Sequence, residues 1–467
     1  MGRKRKVYER IHLTDLGDKG LCIGRDEKGE VVIVNGGVPG DVVKALSKRK
    51  RKGVAQGQLL EVLEESPYRC EPICKHFDDC GGCKWQHLEY SAQLEYKNKI
   101  VLNAIRRIAG CDPGKVESPV PAKELTFFRN KLEFTFSDKR WITLAEAKDD
   151  MNINRGGALG FHRPGAFDKV VDIDECWLQR DPSNQIRNFV KEYAVEHGLT
   201  FFNLREHKGL LRNLMIRTGM DGQLMVLLSF GEDDREAIEA LLESLTKNFP
   251  QITSLFYVIN TKGNDTILDL PLNHFSGSAF IEEKLNDLVF RIGPKSFFQT
   301  NPGQAEVLFD LALNFADIQG ESLVYDLYCG IGSISLMAAK TAGKVLGIEV
   351  VPEAIQDAEI NAKLNGIQNV EFIVSEVEKI LDDSFFSQKG KPDVIIVDPP
   401  RAGLHKNVVE AINNSKVEKV VYVSCNPSTQ ARDIGLMKNH YTLERIRTVD
   451  MFPYTSHIET VALLKKK

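Results

Sequence analysis

The stretch from about residue 286 to the end limits the possible folds more than any other part of the chain. Short apolar runs alternate there with helix-like segments: LVYDLYC (323–329), a helix over 334–342, KVLGIEV (344–350), a helix over 352–365, VEFIV (370–374), DVIIVDPP (393–400), a helix, KVVYVSCN (419–426) and another helix. Strands that are apolar throughout, rather than on alternate residues, are buried on both faces, which predicts a parallel sheet with helices on each side. Two further strand-like stretches, LERIRTVDMF (443–452) and HIETVALLKK (457–466), are joined by so short a link, 453–456, that they must pair antiparallel.

In open sheets of this kind a ligand sits beyond the carboxyl ends of the strands, so the residues that follow each apolar run carry the chemistry. After the first strand come Asp326, Tyr328, Cys329, Gly330 and Gly332, then Ser333 where a dinucleotide fingerprint would have its third glycine. Glu349 ends the second strand, placed to accept hydrogen bonds from both ribose hydroxyls. Asp398, Pro399 and Pro400 end the fourth. A ribose acid without a complete pyrophosphate loop points to an adenosine cofactor lacking the diphosphate, S-adenosylmethionine, with NAD as the alternative. The fifth run breaks off in Ser424, Cys425, Asn426 and Pro427, which leaves a thiol where a buried strand turns polar.

At 467 residues the chain is too long for one core. Residues 1–65 read as five short strands with Gly-rich turns, a small barrel of the oligonucleotide-binding sort. Residues 66–285 mix strands with helices in an α+β region, and 286–467 form the α/β sheet. The overall charge of −4 hides a basic surplus at the N-terminal end, concentrated in residues 3–6 (RKRK) and 48–52 (KRKRK), which suits contact with phosphates. No apolar run approaches the length of a membrane span and no secretory leader is visible, so a soluble cytoplasmic protein is expected. Nine cysteines, an odd number, argue against a disulfide framework. Cys74, Cys80 and Cys83 follow a C-x5-C-x2-C spacing, and Cys176 is available as a distant fourth thiolate. Four thiolates suit either structural zinc or an iron-sulfur cluster, and the spacing does not choose.

The motifs SFFQTN (296–301), DLYCGIGSISL (326–336), DPPRAGL (398–404), SCNPST (424–429) and FPYTSHIETV (452–461) resemble, in order and spacing, those of the RNA uracil-5-methyltransferases. The likeness extends upstream through CGGCKWQH (80–87), FRNKLEF (128–134) and GFHRPG (160–165), and the basic N-terminal module looks like the TRAM domain of the ribosomal-RNA members. The resemblance implies a class I S-adenosylmethionine-dependent methyltransferase with a doubly wound seven-stranded sheet, an OB-like TRAM barrel and a central α+β domain. It implies Cys425 as the nucleophile toward uracil C6 and Glu459 as the base that removes the C5 proton. Gln299, Tyr328, Glu349 and Asp398 would hold the cofactor, Phe297 would stack on the base, and Arg129 would help position the RNA. Cys74, Cys80, Cys83 and Cys176 would hold a [4Fe-4S] cluster, with Cys70 left over. The target uridine must be unpaired or flipped out.

Three other readings fit less well. An RNA cytosine-5-methyltransferase places its nucleophile after the proline of the fourth-strand motif, where this chain has Arg401. An oxidoreductase gives Cys425 and Glu459 no task, and a non-catalytic RNA-binding iron-sulfur protein has no reason to keep a nucleophile and a base together. Within the resembled family 23S ribosomal RNA is the expected substrate, ahead of the transfer-RNA T-loop, with no DNA or membrane partner. The sequence does not fix the oligomeric state.

Overall fold

The computed structural model describes residues 6–51, 54–143, 146–148 and 156–467; residues 3–5 of the first basic run and 52 of the second lie outside that set. Strands Val7–Leu16, Cys22–Asp26, Val31–Asn35, Val42–Arg51 and Val54–Glu64 close into the barrel expected of the N-terminal segment. Alternate residues such as Ile11, Leu13, Val32, Val34, Val43 and Ala45 fill its interior. Trp85, Leu88 and Ala92 join the same core from outside the barrel, so the chain leading into the cysteine region is packed against it.

The middle of the chain forms a seven-stranded sheet in the order Asn273–Gly277, Ser254–Ile259, Leu224–Phe230, Leu211–Thr218, Lys131–Ser137, Ala158–Arg163 and Ala166–Asp172. Helix Arg235–Asn248 turns Ile238, Leu241, Leu242 and Leu245 onto one face at helical spacing, and helix Ser183–Glu196 covers the same face with Ile186 and Val190. From the opposite face Met215, Met225, Leu227, Phe256 and Val258 enter a core shared with Leu308 and Val324 of the C-terminal part.

The C-terminal sheet runs Val370–Val374, Lys344–Glu349, Leu323–Leu327, Val394–Val397, Lys419–Ser424, Glu459–Lys466, Tyr441–Val449. The first five strands are parallel, and the hairpin of the last two is antiparallel and inserted with Glu459–Lys466 beside Lys419–Ser424. The strand order reverses between Leu323–Leu327 and Val394–Val397, which opens the crevice where such folds bind ligands. An eighth strand, Lys115–Val116, adds to the Tyr441–Val449 edge.

That addition departs from the division read at 66 and 286. Helix Tyr90–Ala104 leaves the middle region and buries Val101 and Ala104 against Ile434 and Met437 of the C-terminal part. The hairpin Ile281–Leu285 and Leu288–Ile292 straddles residue 286 and packs with helix Pro302–Ala316. Apolar burial, which links elements far apart in sequence, sets these placements.

Candidate active site and cysteine cavity

Cys425 stands between two local devices. Ser424 is the last residue of its strand, and Asn426 caps the next helix, its side chain accepting from Ser428 N at 3.1 Å with Pro427 as the first helical residue. The strand therefore delivers the thiol to the crevice just before a helix N-terminus, where backbone N–H groups favour an anion. Asn426 Nδ2 and Thr429 Oγ1 both donate to Arg401 O, at 2.9 and 3.2 Å, which ties this turn to the DPPR loop.

Strand register brings in the carboxylate. Ser424 pairs with Thr460 across the antiparallel ladder, so extending the register by one residue sets Cys425 opposite Glu459, with both side chains on the same face. Thr460 Oγ1 shares its one proton between Gln430 Oε1 at 2.8 Å and Ser424 O at 3.2 Å, which holds that register. Arg401 Nη2 donates to His457 Nδ1 at 2.9 Å. Burial, then the neighbouring Arg401 and Arg129 cations, push that imidazole down to about 4 and keep it neutral as an acceptor.

Burial dominates the electrostatics of the site. It pushes the Cys425 thiol up to about 11, aided by the charges of Glu459 and Asp398 and opposed by Arg401. Glu459 is raised well above the usual carboxylate range, first by burial and then by Asp398, with Arg401 and Lys97 pulling the other way. Asp398 is pushed up to about 7 by burial alone. A thiol with a raised pKa is mostly protonated at neutral pH and gains reactivity as pH rises. Alkylation of Cys425 by iodoacetamide, followed by peptide mapping, is therefore expected to keep accelerating through pH 10 instead of levelling near the ordinary value of about 8.5. Glu459→Gln should move that profile to lower pH. A plateau by pH 9 in the unmodified chain would contradict the arrangement.

Of the expected cofactor residues, Tyr328, Glu349 and Asp398 stand at the strand ends beside the reversal point. Tyr328 is half-buried with φ +69, in the left-handed region, and its N–H donates to Ile348 O at 2.8 Å. A bulky residue held there is strained, as residues at functional sites often are. Gly330 has φ +55 with open space on its Cβ side, so its backbone faces the crevice bare. Glu349 accepts from Gly330 N at 3.2 Å and from Val350 N and Val351 N at 2.8 and 3.0 Å. Its carboxylate thus links the glycine turn to the next helix, and Oε2, which accepts only from Gly330 N, has a lone pair to spare for a ribose. Gln299 is half-buried between Phe298, sunk in the core, and Thr300, whose carbonyl accepts from Asn130 N at 2.8 Å. Phe297 is 73% exposed, free to meet a base.

Cys74, Cys80, Cys83 and Cys176 line one narrow cavity with Phe77, Phe161 and Trp177. Cys70 instead donates to Gln86 O at 3.3 Å. Among the described residues no three His, Cys, Asp or Glu side chains converge tightly enough for a single metal ion. Burial pushes Cys80 and Cys83 up to about 12 and raises Cys74 and Cys176, so without a cation these are neutral thiols. Arg129 is half-buried, within electrostatic range of Cys83 and Cys176, and its guanidinium carbon is 5.1 Å from the centre of the Phe452 ring. Its neighbours are the cysteine cavity and the 450–457 turn. The cysteine segment also holds that turn directly: Lys84 N and Trp85 N donate to Tyr454 O at 2.8 and 3.0 Å.

Arg401 stands in the DPPRAGL motif but was given no role there, and the buried pair Lys97–Asp450, joined at 2.6 Å, carries no sequence mark that would have placed it at the site. The structure puts them there through the DPPR turn and helix Tyr90–Ala104.

Residues 258–467 match the family described as tRNA (Uracil-5-)-methyltransferase, and residues 4–60 match the TRAM domain. An uncharacterized RNA methyltransferase of Bacteroides thetaiotaomicron is 48% identical over 93% of this chain and 96% of its own length. The chain belongs to the RNA (uracil-5-)methyltransferase family. Another uncharacterized RNA methyltransferase, from Porphyromonas gingivalis, is 45% identical over 97% of this chain and 99% of its own. Among solved structures, the Pyrococcus abyssi tRNA (uracil-54, C5)-methyltransferase in complex with S-adenosyl-L-homocysteine superposes with a TM-score of 0.75. It shares 29% identity and covers 98% of this chain and 99% of its own. The family membership accounts for the barrel, the class I methyltransferase sheet and the ordered motifs together. Among the described residues no helix is long and apolar enough to cross a membrane.

Proposed function

We propose that this chain methylates C5 of a specific uridine in 23S ribosomal RNA, in the cytoplasm, through a transient bond between Cys425 Sγ and uracil C6. The observation that carries the reading is the cross-strand register that sets Cys425 opposite the buried Glu459, with Asp398 and Arg401 beside them.

Uracil C5 is a weak nucleophile until electron density is added at C6. Loss of the Cys425 proton to solvent, favoured by Arg401 and the helix N-terminus, lets Sγ add to C6 and places an enolate on C4–O4. The Asp398 carboxyl, pushed up to about 7, is a hydrogen-bond donor in its neutral form, suited to that developing negative charge. Gln299, Tyr328, Glu349 and the bare backbone of Gly330 would hold S-adenosylmethionine, which supplies a methyl on a positively charged sulfonium. Once C5 carries the methyl, Glu459 takes the C5 proton, the C5–C6 double bond reforms and the Cys425–C6 bond breaks with its electrons returning to sulfur.

Cys74, Cys80, Cys83 and Cys176, four thiols around one cavity, would hold the [4Fe-4S] cluster that the resemblance implies. The Nε atoms of Arg129 and Arg187, buried near Cys176, have no hydrogen-bond partner among the described residues and suit an anionic group. In this reading the cluster braces the 452–457 turn, and Arg129 positions that turn instead of touching RNA. The division of labour follows: 1–65 grips RNA, 66–285 carries the cluster, and 286–467 performs catalysis.

Labelled methyl donor, incubated with transcribed 23S ribosomal RNA and separately with transfer RNA, tests the assignment after digestion to nucleosides. Label in 5-methyluridine from the ribosomal transcript is expected, and protein purified without oxygen should contain iron and acid-labile sulfide. Label confined to transfer RNA would move the substrate to the T-loop, whereas label in 5-methylcytidine would overturn the uracil chemistry.

A further inference from the structure

The nucleophile sits among groups that oppose its ionisation. The charges of Glu459 and Asp398 raise the Cys425 thiol, and Arg401 counters them by its own charge and by a hydrogen bond to the sulfur. That help depends on where a long side chain points. Arg401 is exposed, and no carboxylate pairs with it among the described residues. An arginine loose in solvent spreads over many rotamers, so its guanidinium acts on one thiol only if something fixes its tip.

The backbone end is fixed by the helix that follows Cys425. Besides the bonds from Asn426 and Thr429 to Arg401 O, Arg432 Nη2 donates to Ala402 O at 3.0 Å and Leu404 N donates to Asp433 Oδ2 at 2.8 Å. Only the side-chain torsions of Arg401 are then left to settle.

The tip is fixed from the other end of the chain. A guanidinium carries only donors, so the bond from Arg401 Nη2 makes His457 Nδ1 an acceptor, and the imidazole is neutral with its proton on Nε2. The histidine is itself held. Its N–H donates to Thr455 Oγ1 at 3.2 Å, that hydroxyl donates to Phe452 O at 2.8 Å, and the ring meets Phe452 edge-on with 6.0 Å between centres. His457 stands two residues before Glu459, so the segment that supplies the base also carries the acceptor for the cation.

We propose that His457 is a positioning residue, whose Nδ1 holds the Arg401 guanidinium against the Cys425 thiol and so raises the share of thiolate ready to add to C6. Its part in catalysis rests on the uracil-methylating reading above, whereas the coupling of His457 to Cys425 is a property of the free protein.

The test is a double-mutant cycle without RNA, read as the rate at which iodoacetamide alkylates the Cys425 peptide at pH 9. His457→Phe keeps an aromatic ring against Phe452 and removes the acceptor, and His457→Leu is a second acceptor-free variant. His457→Asn puts an acceptor back near the place of Nδ1. Alkylation in the two acceptor-free proteins is expected to slow about 3- to 10-fold, a loss of thiolate partly offset by the greater nucleophilicity of a more basic sulfur. The asparagine protein should keep most of the unaltered rate. Arg401→Gln should slow the reaction at least as much, and adding His457→Phe to it should change nothing further. Equal losses with and without Arg401, no rescue by asparagine, or an unchanged rate in both acceptor-free proteins overturns the proposal. If the cycle holds but the unaltered enzyme forms no 5-methyluridine, the coupling stands and the reading beneath it falls.

Discussion

Replacing Cys425 with serine is expected to lower methyl transfer by on the order of 10⁴-fold or more while binding of S-adenosylmethionine and RNA persists. A serine hydroxyl at this strand end keeps the shape of the site, but the weakly acidic, poorly polarisable oxygen does not add to C6 at a useful rate. The complementary change, Glu459→Gln, should separate the two halves of the reaction. Addition and methylation need Cys425, whereas release needs the carboxylate. The glutamine protein is thus expected to accumulate a methylated RNA joined to the chain, seen as a slowly migrating band on a denaturing gel that carries the labelled methyl. Glu459 is buried and glutamine has nearly its size and shape, so folding should be unharmed. Wild-type turnover by Cys425→Ser, or free product at the normal rate from Glu459→Gln, would dismantle the mechanism.

How much of this was legible beforehand depends on the range of the signal. The parallel sheet and its crevice were readable because continuous apolar runs such as VIIV and VVYV are local, and a ligand site beyond strand ends follows from topology. Cys425, Glu349 and Asp398 stand at such ends and could be read directly. The register that pairs Cys425 with Glu459 could not, since it depends on the second strand of the terminal hairpin entering the sheet between Lys419–Ser424 and the first strand of the hairpin. The strand Lys115–Val116 is two residues long, too short for any periodicity. The resemblance gave Arg129 to the RNA, but neighbours distant in sequence put its guanidinium beside the cysteine cavity.

Lys97 is the extreme case, and it leads to the second large effect. It sits inside a helix in the string EYKNK, which reads as an ordinary solvated face, yet it is fully buried with Asp450, 353 residues away, at 2.6 Å. Its Nζ also donates to Phe452 O at 3.1 Å, while Gln93 on the same helix accepts from Tyr454 N at 2.9 Å and Asn301 Nδ2 donates to Met451 O at 2.8 Å. The turn leading to His457 and Glu459 is therefore anchored from two elements, the helix and Asn301, and Lys97 supplies its only ionic anchor among the described residues. Burial lowers the Lys97 pKa against the pull of Asp450, so much of the pair's Coulomb energy offsets desolvation. Removing one partner leaves the other charge buried alone. Lys97→Met is expected to destabilise the fold by about 3–5 kcal/mol, a fall of roughly 5–10 °C in melting temperature. Lys97→Met/Asp450→Leu should recover most of that loss, because a buried pair replaced by apolar groups of similar size is close to neutral. Activity should not recover with stability, since the double variant still lacks the bond from Nζ to Phe452 O that holds the turn. Full activity in the stable double variant would show that the pair serves folding alone, and an unchanged melting temperature in Lys97→Met would show that Asp450 finds another partner or a proton.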